Sequence, residues 1–204
     1  MRMFLTIFAV SIFASATVAQ DNLFTPMKGS ATPEFQTSND EGRCLVFGKN
    51  IVKTTQSEDG GENVRIWHRE GAAKGLAACE LQNAPYADIK DADNNSFFGI
   101  SANYFFIDQG TSSGSRTLAV YKTGSGDAIT TVGYYGNSAE PRIEAARYLY
   151  YDDTSNKKGL VSACKDAAKW KRQGGGVIWV QGKKMDLDQQ TVANVGALRC
   201  AYQE

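Results

Sequence analysis

Gly110-Thr111-Ser112-Ser113-Gly114 spells the G-x-S-x-G pattern of a serine nucleophile elbow. An elbow needs a strand before the serine and a helix after it, so that the hydroxyl stands out beside a histidine base. Here the aromatic run Tyr104-Phe105-Phe106-Ile107-Asp108 precedes the pattern and Arg116-Thr117-Leu118-Ala119-Val120-Tyr121 follows it, both of strand type. The polar stretch from Gln109 to Ser115 therefore reads as the long tip of a β-hairpin, and the elbow is rejected. A binding role for the same loop survives. Its glycines can turn backbone N–H groups inward, Ser112, Ser113 and Ser115 add hydroxyls, and Arg116 beside Asp108 adds a fork of donors for a carboxylate, sulfate or sugar. The simpler reading pairs Arg116 with Asp108 as a brace across the hairpin base.

The remaining reactive side chains are sparse. His68 is the single histidine, with no second His or free Cys to complete a metal site, so no metal or other cofactor is expected. Asp152 and Asp153 are adjacent on a strand-type run and point to opposite faces, a poor geometry for a glycosidase pair. Asp186 and Asp188 read as solvated charge at a turn. Asp91-Ala92-Asp93-Asn94-Asn95 imitates the start of a calcium loop, but Ser96 and Ala102 stand where Gly and Glu are required. Tyr148 and Tyr150 share a face by alternation, and if exposed they would suit sugars or a protein partner. Lys165, Lys169, Lys171 and Arg172 read as a solvated helix face.

These groups need a scaffold, and the scaffold reads as β. Strand-type runs occur at 44–47, 51–55, 64–69, 97–100, 104–108, 116–122, 129–134, 147–151, 177–181 and 192–202, with turn residues between them. The nearly continuous apolar character of 97–107 implies strands covered on both faces. One helix is expected from a Ser162 cap through Arg172, stopped by Gly174-Gly175-Gly176. The fold class is thus mainly β: an antiparallel sandwich or barrel-like domain with one α-helix in the C-terminal half and two disulfides.

Met1-Arg2, the apolar run from Phe4 to Ala14 and the small residues through Ala19 read as a secretory signal peptide, residues 1–19. Residues 20–42 read as an extended N-terminal arm outside the core, and 43–204 as a single β-rich domain. The four cysteines form an even set in an exported chain, and pairing within each half, Cys44 with Cys79 and Cys164 with Cys200, is preferred. Charge balances at 22 Lys plus Arg against 22 Asp plus Glu, which gives no electrostatic reason for a nucleic-acid partner. The apolar leader is shorter than the ~20 residues of a membrane span, so no stable insertion is expected after its removal.

Asp108-x-Gly110-Thr111, Arg116-x-Leu118-x-Val120-Tyr121, Cys164, Trp170, Leu187 and Arg199-Cys200 together resemble a pattern in uncharacterised exported proteins of Gram-negative bacteria. The likeness covers about residues 103 to 204, implies a periplasmic setting and carries no activity. Periplasmic lysozyme inhibitors are similar in size and β-rich build, but only Ser113-Gly114-Ser115 matches their signature. The expected function is an exported, periplasmic or secreted, non-catalytic binding or inhibitor module with an envelope protein or glycan as partner. The opposing readings are an envelope polymer hydrolase and a purely structural envelope protein.

Overall fold

The computed structural model describes residues 23–203 except 59, 72, 81, 82, 92 and 93; the expected signal peptide lies outside them. Among the described residues, thirteen strands form three antiparallel sheets, each a meander of strands consecutive in sequence. The first sheet holds β1 (Phe35–Asn39), β2 (Gly42–Val46), β3 (Asn50–Gln56), β4 (Glu62–His68) and β5 (Ala87–Ile89). The second holds β6 (Ser96–Ile100), β7 (Tyr104–Gln109), β8 (Ser115–Lys122) and β9 (Ala128–Tyr135). The third holds β10 (Arg142–Glu144), β11 (Tyr148–Thr154), β12 (Gly176–Asp186) and β13 (Thr191–Gln203).

The second sheet is the middle layer. Along β7, Phe105 and Ile107 pack with Leu45, Val52, Val64 and Ile66 of the first sheet. Their neighbours Tyr104 and Phe106 pack with Leu149 and Met185 of the third and with Leu187 in its β12–β13 turn. Side chains of a strand alternate between faces, so a run apolar at every position is what a middle layer requires. Phe105, Phe106 and Ile107 are fully buried, each contributing about 2 kcal/mol of apolar transfer.

The segment expected as an arm is instead a strap between layers. Phe24 enters the first core and Met27 the second. Met27 N–H donates to Phe98 O at 2.8 Å, Ala31 N–H to Ile100 O at 2.7 Å, and Ile143 N–H to Lys28 O at 3.0 Å. Gly29 makes the passage feasible: it has φ +85°, and a Cβ there would lie 1.9 Å from Ile143 O. From Phe35 the same segment becomes β1, paired with β2. Isolated apolar residues that serve two different cores carry no periodicity, which is why they read as a loose end.

Between β4 and β5 the chain forms a 3-10 turn, Gly75–Cys79. One further expectation changes. The helix is shorter than its apolar stripe: α1 spans Ala167–Arg172, Val161–Ala163 is a separate 3-10 turn, and Asp166, not Ser162, stands at the N-cap without a side-chain cap bond. Leu160 and Val161 find no surface to cover and are 76% and 59% exposed. Both disulfides have the expected pairing, Cys44–Cys79 and Cys164–Cys200. The first ties the 3-10 turn to β2 and the second ties the chain ahead of α1 to β13, bonds suited to an oxidising compartment. No helix among the described residues is long and apolar enough to cross a membrane.

Candidate functional site

The hairpin loop is internally engaged. Arg116 Nε donates to Asp108 Oδ1 at 3.1 Å, its Nη2 donates to Oδ2, and its Nη1 donates to Ser112 O at 3.1 Å. Tyr134 adds its hydroxyl to Asp108 Oδ1 at 2.8 Å. Burial, then this hydrogen bond to the carboxylate, raise the Tyr134 phenol well above its ordinary pKa. Ser112 Oγ accepts from Gly114 N–H at 3.1 Å and donates to Ser115 O at 3.3 Å. Ser113 is half-buried and Ser115 exposed at the start of β8. The loop is therefore braced as the simpler reading has it: Arg116 directs three N–H donors to the hairpin's own base and loop.

His68 does not meet Ser112. It stacks on Tyr86 with ring centroids 4.5 Å apart and sits beside Gly124 in the β8–β9 turn, at the far end of β8 from the serine. Asp186 and Asp188 are not simply solvated. Arg147 grips Asp186 through Nε, at 3.0 Å, and Nη2, while Asp186 Oδ1 accepts from the N–H groups of Asp188 and Gln189. Asp91 accepts from Ser57, Gly61 N–H and Asn95 N–H, a turn brace, with Ala92 and Asp93 outside the described residues. No group of three or more His, Cys, Asp and Glu among the described residues is arranged to hold a metal ion.

The third sheet assembles something else. Leu149 and Tyr151 of β11 face the core, so Tyr148, Tyr150 and Asp152 face outward. Cross-strand register places Arg142 and Lys184 on either side of Tyr150. The result is an alternating ladder. The Arg142 guanidinium lies 4.4 Å from the Tyr150 ring centroid, and Lys184 Nζ lies 5.7 Å from Tyr150 and 4.0 Å from Tyr148. Arg147 closes the row 5.0 Å from Tyr148. Arg142 and Arg147 also hold carboxylates, Glu144 and Asp186, whereas Lys184 is held by ring faces alone among the described contacts. Such contacts keep the cations in place at an exposed face.

Beside the ladder lies a cleft of about 350 Å³ lined by Arg142, Tyr150, Asp152, Val195, Gly196 and Arg199, among others. Asp152 is only 4% exposed although it points outward. Gly182, directly opposite on β12, leaves the necessary room; a Cβ there would stand 2.7 Å from Val195 O and 3.6 Å from Asp152 Oδ1. Arg199 Nη2 donates to Asp152 Oδ1. Asp152 Oδ2 is buried without a hydrogen-bond partner. Among the described residues, Ser30 Oγ and the Asn137 amide nitrogen Nδ2 are also buried and unpaired, but Asp152 is the carboxylate, and it lines a cleft. An unpaired buried carboxylate oxygen is costly, about 1–3 kcal/mol or more, unless something donates to it.

Sequence pattern placed Tyr148 and Tyr150 on one face and separated Asp152 from Asp153. It did not find Arg199 as the partner of Asp152, because 47 residues separate them and only the β11–β12–β13 register brings them together. No protein-family model, curated protein or solved structure matches the chain.

Proposed function

We propose that the protein is an exported, non-catalytic binding module of the bacterial periplasm whose partner, an envelope glycan or envelope protein, docks on the outer face of the third sheet. The observation that carries this reading is Asp152, which lines a cleft next to the Arg142–Tyr150–Lys184–Tyr148–Arg147 ladder and whose buried Oδ2 has no donor. The leader at 1–19 and the two disulfides support export into an oxidising space. A hydrolase reading has less support: His68 lies away from Ser112, and Asp152 and Asp153 face opposite sides of β11.

The test is capture from envelope extract by immobilised mature protein, compared with a Tyr150→Ala/Lys184→Ala double variant of unchanged melting temperature. A saturable partner lost in the variant is expected. Equal capture by both proteins, or breakdown of envelope polymer by the wild type, would sink the reading.

A further inference from the structure

We infer that the Asp152–Arg199 cleft is a sugar subsite, in which a pair of neighbouring ligand hydroxyls bridges the carboxylate and the guanidinium. This rests on the binding reading above and names the ligand of that face. The donors and acceptors of the cleft decide the class. Asp152 Oδ2 lacks a donor, while Oδ1 is already satisfied by Arg199 Nη2. The ligand must therefore bring a proton on a small polar atom to Oδ2. The Arg199 side chain is 54% exposed, so it can adjust its hold on Oδ1 and still offer N–H groups to the incoming molecule.

Three donor classes could answer this need. An ammonium ligand is disfavoured because Arg199 already balances the Asp152 charge and Arg142 stands on the same cleft wall. A metal ion would need further ligands, and no suitable cluster exists among the described residues. A hydroxyl is neutral, donates to Oδ2, and accepts from Arg199 through the same oxygen. Two vicinal hydroxyls satisfy carboxylate and guanidinium together, with charge-assisted bonds at both. Space agrees with this class. Gly182, Gly196 and Ala197 keep the cleft free of bulk, and its volume of about 350 Å³ admits a hexose ring. Tyr150 supplies an aromatic edge on the wall.

The experiment titrates isotope-labelled mature protein with glucose, galactose, mannose and N-acetylglucosamine, and separately with putrescine, following backbone amide shifts by NMR. Saturable shifts with at least one sugar, centred on Tyr150–Asp152 and Val195–Arg199, are expected. Arg199→Gln should weaken that sugar at least about ten-fold, the effect of losing a hydrogen bond to a charged group. Ala197→Leu, which fills the cleft from an exposed position and leaves the ion pair alone, should weaken it similarly. Melting curves check that both variants fold. Shifts with putrescine but no sugar, sugar shifts located elsewhere, or no sugar response would each overturn the inference. If envelope capture still depends on Tyr150 and Lys184 after such a result, the binding reading stands without the sugar subsite; if capture fails as well, both fall.

Discussion

Tyr134 donates its hydroxyl to Asp108 at 2.8 Å, so strands β7 and β9 are tied across the intervening β8 by a carboxylate that is 6% exposed. Arg116 from β8 supplies the counter-charge through both guanidinium edges. The three side chains form one closed unit at the base of the polar loop, and the unit's members depend on each other.

Arg116→Ala should therefore act on stability. It leaves Asp108 buried with one remaining side-chain partner, Tyr134, and breaking a buried pair costs about 3 kcal/mol, somewhat less here because the guanidinium is partly exposed. Denaturant unfolding should show the loss, and binding to the third sheet's face should be unchanged. Impaired binding at unchanged stability would return the loop to the role of a site.

The acid limb of the stability curve should carry the signature of Asp186. Its bidentate bond to Arg147 holds the carboxyl below the usual aspartate range. A depressed folded-state pKa stabilises above the unfolded value, near 3.9, and that stabilisation disappears as pH falls through the folded value. Melting temperature measured from pH 5 to about pH 2 should fall more steeply for wild type than for Arg147→Gln.

The alkaline limb should carry Tyr104, pushed up to about 12 by burial and then by its bond to Asp188. A raised folded-state pKa stabilises fully below the unfolded value, near 10, and the gain is lost as pH rises through about 12. Tyr104→Phe should be less stable than wild type at pH 8, and the difference should shrink across that window in a pH series of denaturant melts.

Reduction should expose how much the staples contribute. The Cys44–Cys79 bond spans a sequence separation of 35 and Cys164–Cys200 one of 36. Loops of this size are worth about 4 kcal/mol each in the chain-entropy account. Thermal melts of a Cys44→Ser/Cys79→Ser variant should fall by roughly 10 °C for a domain of this size.

Much of the architecture is written in local pattern. The aromatic run of β7 announces a strand covered on both faces, and Phe105 and Phe106 do go to separate cores. What escaped local reading are features defined by partners distant in sequence. β5 and β10, three residues each, exist because β4 and β11 offer them an edge. The strap from Phe24 to Ala31 is held by Phe98, Ile100 and Ile143 and has no repeat of its own. At the candidate site the outward direction of Tyr150 was legible from alternation. The burial of Asp152 was not, because it depends on a glycine at 182 and an arginine at 199.

The three meanders have a consequence for how the chain reaches its final form. Each ladder joins strands that follow one another, and the order of sheets along the chain is also their order in space. Ring-closure entropy is thereby kept small at nearly every pairing step. A chain emerging amino end first can lay down one sheet, cover it with the next and finish with the last. The bridge between Lys28 and Arg142, from the first described segment to the third sheet, must wait for the final layer.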